Sequence, residues 1–381
     1  MMGPRFWHVL LIFATLAAPF VARGEDQAID FDKARQILER GKRGEKVTDE
    51  ERAYVQRAIE ARRKAQANQP QGKGGKGLPP PPPKWTEHLI PLTELGTAKY
   101  KGEEGGLYGG GSNQPPKAHF EATMRESAKI RPLDDDGKPA DGGKIGVLSV
   151  GMSNTTQEYS RFIALANADP QKPPEVVLVD GAQGGQTGTR WADPDAPLWL
   201  TVDERVKSAG LSSKQIQVAW MKQAEAGPAR MGEFPKHAEV LRDNLVVVLG
   251  HLKRRFPNLR IVYLSSRIYG GYAITSLNPE PYAYEEAFSM RWLIQDQIAG
   301  KSELNYDPAR GEVKSPLLLW GPYLWADGEM PRKADGFTYA REDLSERDGT
   351  HPSETGRTKV AELLLKFLKT DPTAKSWFAR N

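Results

Sequence analysis

From Trp85 onward the chain alternates short, continuously apolar runs with longer stretches whose apolar positions recur every three or four residues. The runs are Ile145 to Val150, Glu175 to Val179, Ile216 to Trp220, Arg260 to Leu264 and Leu317 to Trp320. A run without polar alternation reads as a strand covered on both faces, the signature of parallel pairing. Between the third and fourth runs, Val240, Leu241, Leu245, Val248, Leu249 and Leu252 recur at helical spacing within residues 235–255. After Pro352, Val360, Leu363, Leu364, Phe367 and Leu368 form one apolar stripe. Five runs with helices between them predict an α/β fold, a parallel sheet covered on both sides. Ligands of such sheets bind outside the carboxyl ends of the strands, so the residues just after each run carry the candidate chemistry.

The first 84 residues follow another pattern. Arg5 precedes an apolar run from Val9 to Val21, followed by Ala22, Gly24 and the acidic Glu25 and Asp26. Its 13 residues fall short of the roughly 20 that cross a bilayer, so residues 1–24 read as a signal peptide with no stable membrane anchor, and the mature chain as secreted or periplasmic. Residues 25–67 repeat helical spacing at Phe31, Ala34 and Leu38, then at Tyr54, Val55, Ala58 and Ile59. Gly41 and Gly44 break the pattern, and Thr48 stands three residues before Glu51 as in a capping box. A helical hairpin is predicted, either a docking element for a protein partner, or an appendage that is solvated or packed on its own main domain. Residues 68–84 run through a Gly/Lys-rich stretch into five prolines, a flexible and then stiff linker. Residues 85–381 form the main domain.

Charge and composition narrow the function. The net charge is +4, but residues 1–78 hold all of the excess, and the remaining 303 residues carry 38 basic and 39 acidic groups. A working domain with no basic excess argues against nucleic acid as a partner. With no cysteine in the chain there is no disulfide framework, thiolate nucleophile, lipid-anchored cysteine or cysteine-ligated zinc.

Four strand-end segments remain. Gly151-Met152-Ser153-Asn154 presents a hydroxyl after the first run. Asp180 to Gly188 follows the second, with glycines that let backbone amides approach a ligand. Gln223 and Glu225 follow the third, where Gln223 can donate to an oxyanion or to backbone, and where Lys222 and Glu225 can equally stand in solvent. Asp348-Gly-Thr-His351 precedes the last helix, and His351 alone among six histidines sits in a loop with a carboxylate three residues upstream. That spacing lets Asp348 hold one imidazole nitrogen while the other faces a nucleophile.

In this order and spacing, residues 143–370 resemble the SGNH (GDSL-like) hydrolase superfamily. The resemblance implies a flavodoxin-like three-layer α/β/α sandwich with a five-stranded parallel sheet, and serine esterase or carbohydrate O-deacetylase activity without cofactor or metal. It implies Ser153 as nucleophile and Asp348 and His351 as its partners, with Ser153, Gly185 and, as nearest substitute, Gln223 forming the oxyanion hole. Gly-Met-Ser-Asn is similar to the Gly-Gln-Ser-Asn of sialate O-acetylesterase-like members, with Met152 in place of the usual acidic residue. Gln223-Ala224-Glu225-Ala226 departs from that subgroup's Gln-Gly-Glu-Ser at Ala224.

Aromatic residues follow the fourth and fifth runs: Arg267, Tyr269 and Tyr272, then Trp320, Tyr323 and Trp325. At a site rim such faces suit sugar rings and Arg267 a carboxylate, making Arg267, Tyr269, Trp320 and Tyr323 candidate substrate-binding residues. The same residues can also pack the loops together. The expected function is hydrolysis of O-acyl, foremost O-acetyl, esters on carbohydrate or another small ester. The alternative, raised by Met152 and Ala224, is a catalytically weak or inactive carbohydrate-binding protein. Asp134-Asp-Asp-Gly137 lacks the downstream Glu of a calcium loop and reads as a solvated turn.

Overall fold

The computed structural model describes residues 47–67 and 84–380, together with Ala34, Ile37 and Arg40. The expected signal peptide and residues 68–83 of the expected linker lie outside the described residues. The chain divides into two compact units, Met1–Gln71 and Gly72–Asn381. In the first, helix α1 (Asp49–Ala67) starts at the capping box read from the sequence. The Thr48 hydroxyl accepts from the Glu51 amide at 3.2 Å, and the Glu51 carboxylate accepts from the Thr48 amide at 3.0 Å. Val55 and Ala58 are buried in one cluster with Ala34 and Ile37, which are themselves helical.

The second unit opens with a two-residue antiparallel pair, β1 (Lys99–Tyr100) and β2 (Glu103–Glu104), and helix α2 (Lys117–Ser127). Then follow β3 (Ile145–Gly151), α3 (Ser153–Ala168), β4 (Val176–Val179), α4 (Gly188–Ala192) and α5 (Leu198–Ser208). They are succeeded by β5 (Ile216–Lys222), α6 (Lys236–Arg255), β6 (Ile261–Leu264), α7 (Tyr282–Ile298), β7 (Leu317–Trp320), α8 (Glu354–Thr370) and α9 (Lys375–Phe378). The sheet runs β4-β3-β5-β6-β7 with every pair parallel. This is the flavodoxin-like α/β sandwich.

Strand alternation sends neighbouring side chains to opposite faces. On one face Trp220 stacks on Tyr159 of α3, and Tyr263 meets Phe367 of α8 edge to face. Helices α6 and α7 pack together on the other, burying Leu241, Leu245, Leu249, Phe288 and Leu293. Edge strand β7 is fully buried because the Trp320 indole donates to the Leu107 carbonyl at 2.6 Å and His119 bonds the Leu318 carbonyl at 2.8 Å. The chain leaves β3 for β4 on one side and returns to β5 on the other. The crevice at the carboxyl ends of β3 and β5 is therefore the topological switch point, where this class of sheet holds its ligands.

Candidate active site

Strand β3 ends at Gly151, Met152 turns the chain in an extended conformation, and Ser153 is the first residue of α3. A helix start leaves its first amides without intrahelical acceptors and carries partial positive charge. The Ser153 hydroxyl thus stands beside unbonded backbone N–H groups. Its Oγ lies 2.7 Å from His351 Nε2, and His351 Nδ1 lies 2.8 Å from Asp348 Oδ2. An ionised carboxylate only accepts, so the proton sits on Nδ1 and leaves Nε2 to accept from Ser153. Burial pushes the Asp348 carboxyl up, but the His351 and Thr350 amides, each donating to Oδ1 at 2.9 Å, and the imidazole outweigh it and hold it below its ordinary value.

The loop that carries His351 is tied on several sides. Its Asp348 carbonyl accepts from the Ile274 amide at 3.0 Å, and its His351 carbonyl from the Ser345 amide at 2.7 Å. Gly349 has φ +61°, and a Cβ there would lie 1.8 Å from the Tyr272 carbonyl oxygen. Asn154 donates from Nδ2 to the Thr350 carbonyl at 2.9 Å, joining the helix that begins at Ser153 to this loop.

The described histidines form three pairs with carboxylates. His88 Nδ1 lies 2.8 Å from Asp327, and His237 Nε2 lies 2.7 Å from Glu285. The other nitrogen of His237 is buried without a partner. Among the described residues, His351 alone adds a serine hydroxyl on its second nitrogen.

The glycine loop after β4 is anchored at its start by Asp180. That carboxylate, raised by burial, accepts from Ser149 Oγ at 2.6 Å and the Ala182 amide at 3.2 Å, and also from Thr156 Oγ1. The Gln183 amide donates to the Gly151 carbonyl at 3.1 Å, drawing the loop against the end of β3. Gly184 is the glycine beside Ser153, its would-be Cβ only 3.9 Å from Ser153 Cβ. Gly185 follows with φ +74° and open space around it. Neither amide bonds another described group.

The end of β5 differs from the sequence expectation. Gln223 is fully buried, its Nε2 donating to the Gln186 carbonyl at 3.3 Å and its Oε1 accepting from the Ala224 amide at 2.9 Å. These bonds brace the glycine loop, and neither reaches Ser153. Ala224 accepts from the Gly188 amide at 3.1 Å. Glu225 accepts from the Thr189 amide at 2.7 Å and from Asn244 Nδ2 at 3.0 Å. Lys222 and Glu225 are buried, not solvated. Lys222 forms an ion pair with Glu158 in which neither side chain is exposed. Burial lowers the Lys222 ammonium to about 8 against the opposing pull of Glu158, and raises the Glu158 carboxyl.

The aromatic rim is likewise corrected. Tyr269, Trp320 and Tyr323 are buried, and so is Arg267. Tyr269 packs edge to face on Tyr272 and Trp325. Trp320 is tied to Leu107, and the Tyr323 hydroxyl accepts from the Leu92 amide at 3.1 Å. Arg267 donates to Asn278 Oδ1 at 3.2 Å beside the buried Glu286. Long loops after β6 and β7 have no sheet partner for their own apolar surface, and these side chains supply their core. Asp134 forms the expected turn, its Oδ1 accepting from the amides of Asp136 at 3.0 Å and Lys138 at 2.8 Å.

Sequence reading missed Asn154, Glu158, Asn278 and Glu286. The first follows Ser153 directly and carries a side-chain amide, a signal masked by how common Asn is at turns. The other three lie outside any strand-end motif.

No protein-family model and no curated protein matches the chain. Among solved structures, a lipase from a goat rumen metagenome is similar over 58% of this chain and 96% of its own, at 16% identity and a TM-score of 0.35. A protein of Bacteroides fragilis described as a candidate acylhydrolase is similar over 66% of this chain and 96% of its own, at 13% identity and a TM-score of 0.31. BT4096, described as a gut microbial diltiazem-metabolizing enzyme, is similar over 60% of this chain and 48% of its own, at 17% identity and a TM-score of 0.32. Likeness at this level transfers no activity.

Proposed function

We propose that this chain is a serine ester hydrolase of the SGNH type. The observation that carries the reading is the series Ser153 Oγ to His351 Nε2 at 2.7 Å and His351 Nδ1 to Asp348 Oδ2 at 2.8 Å, at the switch point of the sheet. In this reading Ser153 attacks the ester carbonyl while His351 Nε2 takes the hydroxyl proton, and Asp348 stabilises the imidazolium. His351 then protonates the leaving alkoxide, and water, activated by the same imidazole, releases the acid from Ser153. The oxyanion is held by the Ser153 amide at the start of α3 and by amides of Gly184 and Gly185. Each well-placed donor is worth roughly 3 kcal/mol of barrier, so a hole built from backbone amides works without a side-chain donor from Gln223.

The finer reading is O-deacetylation of a carbohydrate or another small ester. It rests on the similarity of Gly-Met-Ser-Asn to the acetylesterase motif, and the burial of Tyr269, Trp320 and Tyr323 removes the aromatic argument for sugar. Secretion or a periplasmic location is proposed from Arg5 and the Val9 to Val21 run, and a protein partner is proposed for the N-terminal helices.

Hydrolysis of p-nitrophenyl acetate by the full chain tests the esterase reading against Ser153→Ala and His351→Ala. Turnover in the parent and a loss of at least about a thousandfold in both variants, with unchanged circular dichroism, is the expected result. Turnover equal in parent and variants removes the reading and favours a binding role.

A further inference from the structure

We propose that Asn154 is a positioning residue that sets His351 against Ser153, an inference that rests on the esterase reading. Asn154 is the second residue of α3, so its backbone is fixed to the same helical turn as Ser153. Its side chain is buried at 2% exposure and donates to the Thr350 carbonyl at 2.9 Å. Thr350 itself is 1% exposed, and its own amide donates to Asp348 Oδ1 at 2.9 Å. The peptide next to His351 is therefore held between the carboxylate that orients the imidazole and the helix that carries the nucleophile. The backbone–backbone bonds of Asp348, Gly349 and His351 run to Ile274 and Ser345, neither of which is on α3. The Asn154 bond spans from the nucleophile's helix to the loop backbone, and the distance it fixes is the one across which the proton moves.

Removing the amide leaves the Thr350 carbonyl buried and frees the loop to shift by a fraction of an ångström. Misplacement on that scale costs reactivity rather than substrate binding. In Asn154→Ala, kcat for p-nitrophenyl acetate is expected to fall roughly 10- to 100-fold with KM within about twofold. Asn154→Asp sets a carboxylate oxygen against the carbonyl and is expected to fall further.

The decisive comparison is the same change in a His351→Ala background. A residue acting through His351 has nothing left to position there, so Asn154→Ala is expected to cost less than about twofold on the residual rate. A cost of equal size in both backgrounds, or none in the parent, overturns the proposal. A second measurement does not depend on turnover. The ¹⁵N shift of His351 Nε2, which senses the Ser153 hydrogen bond, is expected to move in Asn154→Ala toward its value in Ser153→Ala. An Nε2 shift identical to the parent's overturns the positioning role. Failure of the underlying reading looks different: Ser153→Ala and His351→Ala then leave ester hydrolysis unchanged, while the Nε2 shift still decides whether Asn154 holds the loop.

Discussion

Asp348 is the residue of the proposed triad with the most complete set of hydrogen-bond partners. One carboxylate oxygen is spent on two backbone amides and the other on the imidazole, so the carboxyl is both oriented and held ionised. Asp348→Asn keeps the shape but presents either an amide N–H or a weaker acceptor to His351 Nδ1, which favours the tautomer that cannot accept from Ser153. We expect kcat to drop on the order of 10⁴-fold with little change in Tm, read by steady-state kinetics beside thermal unfolding. A drop below tenfold would mean that His351 is oriented by something else. That Ser153, Asp348 and His351 meet was legible in the sequence because each stands at a strand end or loop where few polar alternatives compete. Arg267, Tyr269, Trp320 and Tyr323 were not. Whether an aromatic after a strand faces solvent or fills a loop depends on segments more than a hundred residues away, such as Leu92 and Leu107.

At the scale of elements, two short segments hold the site in shape. The loop from Ser345 to Pro352 depends on Gly349, which combines a positive φ with contact so close to Tyr272 that a side chain has no room. Gly349→Ala is expected to lower both Tm and kcat, because the Tyr272 backbone must move and the loop behind His351 moves with it. Ser153→Ala, by contrast, should lower only kcat, and differential scanning calorimetry of the two variants separates the effects. Glu225 holds the other segment. Losing its carboxylate in Glu225→Ala leaves the Thr189 amide without its acceptor at the start of α4 and Asn244 Nδ2 with the Thr189 hydroxyl alone, and is expected to cost about 1–3 kcal/mol in urea unfolding. An unchanged midpoint would show that α4 does not need this cap. All five strands of the sheet were legible to within about two residues, because a buried parallel strand leaves a continuous apolar run. Helix α7 was not, since it is buried on nearly every side and its sequence lacks one apolar stripe. The register shift beside Gly146 was also hidden, with Gln217 bonded by its side chain to the Arg131 backbone.

Over the whole molecule, the chain divides into two compact units at Gln71 and Gly72, and the core cluster of the second is built from its own residues. What composition cannot convey is how much charge that core contains. Glu158, Lys222, Glu225, Arg267, Glu280 and Glu286 are all buried around the carboxyl edge of the sheet. Glu286 accepts from the Glu225 amide at 3.0 Å and Asn278 Nδ2 at 2.9 Å, and burial, against the opposing pull of Arg267, lifts its carboxyl from 4.5 to about 8. Burial likewise lifts Glu280 to about 7. The sign follows from proton counting. Between pH 4.5 and about 8 the folded chain keeps a proton on Glu286 that the unfolded chain releases, so this contribution is complete below 4.5 and is lost as pH rises through 8. The loss approaches about 1.4 kcal/mol per pH unit within that window. Glu286→Gln cannot titrate, so its urea midpoint should fall less steeply than the parent's between pH 5.5 and 8. Parallel slopes for the two proteins would mean that Glu286 is ionised throughout, with Arg267 as its counterion, and that the buried edge is held by charge pairing at neutral pH.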